Sequence, residues 1–170
     1  MIYVNGRFLL QNQTGVNRFA YQLCRAWANM GKQFTMCCPY GQIKDCYDIS
    51  GLDIIRCGNW KSHIWEQFSL PFWFARIKGE KILVNFTGLS PIFVKNKIMT
   101  IHDLAFMANP SWYSKSYVFL YKMLTPLCAT TSLKVLTVSE SSKAEIISRL
   151  SLSDRKVRVI NLNSATLLQI

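Results

Sequence analysis

A chain of 170 residues is the length of one domain, and with half of its residues hydrophobic and 17% charged it excludes intrinsic disorder. The formal net charge is +11, a field that attracts anions such as phosphorylated substrates or an anionic membrane surface. No block of like charge and no reading helix or aromatic–basic signature accompanies it, so nucleic acid is excluded as the expected partner.

The predicted elements run in chain order as follows. Ile2 to Val4 is a short apolar start, followed by a polar turn rich in Asn, Gln and Gly. Val16, Phe19, Ala20, Leu23, Cys24, Trp27 and Met30 then recur at helical spacing, one apolar stripe with Arg18, Gln22 and Arg25 off it. Gly31 follows in the position of a helix C-cap. Phe34 to Cys38 reads as a strand stopped by Pro39 and Gly41, and Asp53 to Cys57 as another short apolar run. His63 to Ile77 is helical in pattern, with Pro71 starting a new helix or kinking the first. Ile82 to Asn85 and Ile98 to His102 read as buried strands. Tyr113 to Thr131 is a helix bent or interrupted near Pro126, and Leu133 to Val138 is a strand. Ser142 with Glu145 three residues on predicts a capping box for a helix to about Leu150, before a last strand over Val157 to Leu162.

Strands alternating with helices imply βαβ units. The strands are continuous apolar runs, as a doubly covered sheet requires. The expected fold is therefore α/β: a single Rossmann-like domain, a mostly parallel sheet with helices on both faces. Residues 1–162 make up that domain, and 163–170 are expected to be a short tail.

Six cysteines show neither a CxxC pair nor a histidine at zinc-finger spacing, so neither a metal site nor a cofactor is expected. The start MIYVNGRF has no signal-peptide layout, and no apolar run approaches the roughly 20 residues that span a bilayer. Reduced, mostly buried thiols in a cytoplasmic protein are the expectation.

In open parallel sheets ligands sit outside the carboxyl ends of the strands, and three segments fall there. Thr14-Gly15-Val16 stands directly ahead of the first long helix. It is either a turn with its cap or a site where backbone N–H groups meet an anion. A single glycine excludes the G-x-G-x-x-G dinucleotide fingerprint. His102-Asp103 closes the strand Ile98 to Ile101. Here the readings are a titratable imidazole and a carboxylate in a ligand cleft, or a loop-capping Asp beside a satisfied histidine. Ser139-Glu140 lies in a hydroxyl-rich strand-to-helix turn, which either caps the helix or binds a substrate hydroxyl or phosphate. His63 reads as structural.

These pieces resemble, in their order and spacing, the N-terminal domain of retaining GT-B glycosyltransferases of family four, closest to the bacterial group that builds mannosyl and related linkages in surface polysaccharides. The similar segments are Thr14-Gly15-Val16-Asn17-Arg18-Phe19-Ala20, Trp65-Glu66-Gln67-Phe68-Ser69-Leu70-Pro71, Ile101-His102-Asp103-Leu104-Ala105-Phe106 with Pro110, and Val135 to Ser142. The resemblance implies an acceptor-side domain forming one wall of an interdomain cleft. It places Thr14, Gly15, Val16 and Arg18 near donor phosphates and His102 at the transferred sugar, with Asp103 organising its loop. Ser139 and Glu140 fall on the substrate side. The implied partners are a nucleotide-sugar, bound weakly or not at all without a second domain, and a glycan or lipid-linked acceptor.

Relatives carry two glycines where this chain has Gly15 alone. They also continue from the strand matching Val157 to Ile160 through an Asn-Gly turn into a donor-binding domain, where this chain reads Asn161-Leu162-Asn163. Two functions follow as expectations. One is a transferase portion inactive by itself, at the inner face of the plasma membrane. The other is a non-catalytic domain binding a lipid-linked glycan or a separate donor-domain chain. Trp60, Trp65, Phe68, Phe72, Trp73 and Phe74 read either as a membrane or acceptor face or as core.

Overall fold

A computed structural model describes residues 1–160, so the expected tail and the end of the last predicted strand lie outside the described residues. The short apolar runs become β1 (Ile2–Asn5), β2 (Phe34–Cys38), β3 (Asp53–Arg56), β4 (Ile82–Asn85), β5 (Lys97–Thr100), β6 (Lys134–Thr137) and β7 (Val157–Val159). They form one sheet in the order β3-β2-β1-β4-β5-β6-β7, with every neighbouring pair parallel. The order reverses between β1 and β4, which opens a crevice at their carboxyl ends.

Alternation along each strand sends residues to two helical layers. Val4, Met36, Val84, Ile98 and Leu136 pack under α1 (Gly15–Asn29) against Ala20, Leu23, Cys24 and Trp27. On the other face, Tyr3, Cys37 and Leu83 meet Leu70 and Phe74 of α3 (Leu70–Arg76). There Met99, Val135 and Val157 meet Cys128 and Ala129 of α5 (Lys115–Thr131) and Ile146 and Leu150 of α6 (Glu140–Leu150). Two short helices, α2 (Ser62–Ile64) and α4 (Ala105–Ala108), lie at the carboxyl edge. The result is a Rossmann-like α/β domain.

Most helix ends follow their local chemistry. Thr14 caps α1 by accepting from Asn17 N, and Gly31 closes it with φ of +70°. Met30, expected on the buried stripe, is the exposed C-cap residue, while Asn17 is buried, its Nδ2 donating to Asn12 O. Pro71 stands in the first turn of α3, directly after a π turn (Trp65–Ser69), so the predicted break takes the form of a widened turn. Pro126, expected to bend or interrupt its helix, lies inside a continuous α5. The capping box is also displaced: Ser139, not Ser142, caps α6 and accepts from Ser142 N at 3.0 Å. Glu145 pairs instead with Arg149 one turn on, at 2.8 Å.

All six cysteines are unpaired thiols, five of them buried. Burial pushes those of Cys38 and Cys57 up to about 12. The aromatic cluster divides. Trp65 and Phe74 are core and Trp73 packs against that core, whereas Trp60, Phe68 and Phe72 are more than half exposed.

Lys97 opens β5 fully buried, its Nζ donating to Val94 O at 2.8 Å and Thr131 Oγ1 at 2.7 Å. Burial pushes its ammonium down to about 8. An unfolded lysine keeps its proton into the ordinary lysine range, so between those two values the unfolded chain binds more protons than the folded one. The contribution of Lys97 to stability is therefore expected to rise with pH from about 8 upward, while the buried thiols contribute with the opposite sign above their ordinary value. Urea unfolding across that window checks this. The slope should be less positive in Lys97→Met than in wild type, and an unchanged slope would show that Lys97 does not supply it.

Candidate functional site

The crevice at the switch point widens into a cleft of about 520 Å³ at the carboxyl ends of β1, β4 and β5. Of the residues singled out in the sequence, Thr14, Val16, His102 and Asp103 line it together. Gly15 lies between two of them as the first residue of α1. Its φ is not in the left-handed region, and a Cβ there would meet nothing within 4 Å, so this position is open toward solvent or a ligand. Arg18 is exposed on α1 and, like Ser139 and Glu140 at the start of α6, is not among the lining residues.

His102 follows β5 and is held by two contacts. Its Nε2 lies 3.0 Å from the carbonyl of Phe86, and the ring of Phe19 stands edge-on at 5.0 Å. A carbonyl can only accept, so Nε2 carries the proton, and the neutral ring presents Nδ1 as an acceptor. Burial holds the imidazole below its ordinary value, outweighing the Phe86 bond and the nearby Asp103 carboxylate, both of which raise it. Asp103 is exposed and uses Oδ1 to accept from Ala105 N at 2.9 Å, fixing the start of α4.

The floor of the cleft is built from residues to which the sequence reading gave no role, although Glu66 falls within one of the similar segments. β1 and β4 both end in asparagine. The two hydrogens of Asn5 Nδ2 go to Asn85 Oδ1 at 2.5 Å and Glu66 Oε1 at 2.9 Å, while Asn5 Oδ1 accepts from Arg7 N at 3.1 Å. Asn85 Nδ2 donates to the carbonyls of Thr87 and Leu89. Glu66 is fully buried in the π turn. His63 Nδ1 lies 3.0 Å from its Oε2, and Arg7 Nε lies 3.0 Å from Oε1, an ion pair not aligned as a hydrogen bond. His63, expected to be structural, contacts Glu66 and also lines the cleft. Ser62, which opens this segment and also lines the cleft, has φ of +54°, a strained conformation for a residue with a side chain. The signal in the sequence was a polar residue closing two apolar strands, Ile2-Tyr3-Val4-Asn5 and Ile82-Leu83-Val84-Asn85.

Tyr113, Tyr117 and Tyr121 supply another wall. Tyr113 and Tyr117 stack at 5.3 Å between centroids, and Tyr117 and Tyr121 at 4.0 Å. Their faces are turned to one another, so the cleft meets their edges and hydroxyls. Burial pushes the Tyr117 and Tyr121 phenols up, which keeps them as donors. Thr100, buried at the end of β5, also lines the cleft, and its Oγ1 has no partner among the described residues.

A seven-stranded parallel sheet with helices on both faces and a polar cleft at its switch point has the form of nucleotide-binding Rossmann-type enzymes in general. No known family model and no curated protein matches the chain.

Proposed function

We propose that this chain is the acceptor-side domain of a retaining GT-B glycosyltransferase. In this reading it acts with a donor-binding domain to move a sugar from a nucleotide-sugar to a glycan or lipid-linked acceptor in surface-polysaccharide synthesis. The observation that carries the reading is the convergence of His102-Asp103 and the Thr14-Gly15-Val16 loop on one cleft, in the order and spacing that the resemblance implies. His102 accepts a hydrogen bond at Nδ1 from a hydroxyl of the transferred sugar. The first turn of α1 faces the donor phosphates, and the tyrosine wall holds acceptor hydroxyls. The leaving diphosphate is stabilised by the donor domain. The test is to supply a GT-B donor domain, fused or in trans, with labelled nucleotide-sugars and lipid-linked acceptors. Transfer that depends on both parts is the expected result, and none with any pairing overturns the reading.

A second reading, a binding domain without transfer that docks on an anionic membrane to hold a lipid-linked glycan, draws on the surface. Trp60, Ile64, Phe68 and Phe72 follow one another at intervals of four residues, all exposed, beside Lys61 and Arg76. Such an apolar stripe with cations at its edge suits an anionic lipid interface. Wild-type protein is expected to co-sediment with vesicles containing phosphatidylglycerol. In the triple variant Trp60→Ser, Phe68→Ser, Phe72→Ser, partitioning should fall about tenfold or more with unchanged melting, because exposed side chains contribute little to stability. Undiminished co-sedimentation would remove the membrane role from this face.

A further inference from the structure

The least explained group in the cleft is the guanidinium of Arg7. It begins a 3-10 turn (Arg7–Leu10) directly after β1, and its side chain is only 10% exposed. The backbone beneath is fixed, since Arg7 N donates to Asn5 Oδ1 and a Cβ on the preceding Gly6 would lie 2.5 Å from Cys38 Sγ. The Nε edge is held against Glu66. That carboxylate cannot swing away, because Asn5 and His63 occupy it from two other directions. Among the described residues, however, neither terminal nitrogen of Arg7 has an acceptor, and the residue lines the cleft.

A guanidinium carries five N–H donors in a rigid fork. In Arg7 it is Nε that is buried, while the terminal nitrogens are not buried and belong to a residue that lines the cleft. Here one edge is spent on positioning and the other is offered to the cleft. Two parallel N–H groups match two oxygens of one anion far better than a lone hydroxyl. The remaining charged residues of the cleft do not compete, for Asp103 lies exposed and has one oxygen committed to Ala105 N.

We propose that Arg7, positioned by Glu66, Asn5 and His63, is an oxyanion receptor that takes the carboxylate of an acidic sugar or a phosphate of the ligand held in this cleft. Only the placing of that ligand on the acceptor side rests on the transferase reading.

The test titrates the full chain with sodium glucuronate, with inorganic pyrophosphate and with glucose, at 0.15 M salt so that diffuse attraction to the basic surface is screened. Binding is followed through the backbone amide resonances of the cleft residues Thr14, Val16 and Asp103, which wild type and every variant keep. Saturable shifts with at least one of the two anions and none with glucose are expected, and the tighter anion identifies the source as acidic sugar or phosphate. Arg7→Lys keeps the charge but loses the fork, and should weaken binding about tenfold. Arg7→Gln/Glu66→Gln removes both charges while keeping polar groups in place, and should abolish binding without loss of fold. The proposal is overturned if neither anion binds wild-type protein, or if binding survives in both variants. Anion binding with no transfer in any donor-domain pairing leaves this site standing and removes the transferase reading. Transfer with no anion binding does the reverse.

Discussion

Replacing Glu66 with leucine is expected to destabilise the domain by ~3–5 kcal/mol, because it strands a buried cation. Glu66 has no exposed surface, and its two oxygens meet Asn5 Nδ2 at 2.9 Å, Arg7 Nε at 3.0 Å and His63 Nδ1 at 3.0 Å. With the carboxylate gone, the Arg7 guanidinium keeps its desolvation and loses its counter-ion. The Asn5 amide survives better, since its second hydrogen remains on Asn85. For a domain of this size the loss corresponds to a melting temperature lower by roughly 10 °C. The companion variant Arg7→Met/Glu66→Leu should recover most of it, since a buried pair replaced by apolar groups of similar volume is often neutral. Urea unfolding of both singles and the double closes the cycle. If Glu66→Leu unfolds within about 1 kcal/mol of wild type, the side-chain contacts drawn here do not hold the floor of the cleft. Recovery in the double variant would also mean that the charges are kept for ligand rather than for fold.

The fold was largely legible because hydrophobic period separates strands of four or five residues from long helices. Continuous runs such as Ile82-Leu83-Val84 require cover on both faces, and that requirement led to the parallel sheet. Details failed where several residues compete for one role. Ser139 and Ser142 are both good caps, and the choice depends on where β6 releases the chain, which a motif three residues long does not encode. Trp60, Trp65, Phe68, Phe72, Trp73 and Phe74 were indistinguishable by type. The π turn decides among them by rotating Trp65 and Phe74 toward the sheet and leaving Phe68 and Phe72 outside.

The cleft was legible only in part. His102 and Thr14 stand out because a short motif places each at the end of an element. Arg7 and Glu66 lie 59 positions apart, and each looks like an ordinary surface charge until β1 and the π turn meet beside β4. Periodicity carries no information about such a pair, since it reports which face a residue takes and not what it meets there. The tyrosine wall was hidden in the same way, inside a segment whose apolar pattern already accounted for α5.

His102 is the side chain whose loss is expected to cost most in activity. In the reconstituted transferase His102→Ala should lower kcat about a hundredfold, the scale expected when a contact that positions the transferred sugar is lost. His102→Gln should restore part of it, since an amide can still donate to the Phe86 carbonyl and hold the segment in place. Two pH measurements separate this role from a merely structural one. Burial lowers the folded imidazole below its ordinary value, so as pH falls the unfolded chain takes up a proton first. The unfolded state then binds more protons, and stability drops as pH goes from the ordinary histidine value down toward the folded one. Above that window the ring is neutral in both states and contributes no slope. Transfer should follow the folded value, with an acid limb displaced below that of an exposed histidine, because protonation removes the Nδ1 acceptor. In His102→Gln both the limb and this part of the stability slope should disappear together. If the limb persists in the variant while the stability slope is lost, His102 is a buried structural histidine and the group acting on the sugar lies elsewhere in the cleft.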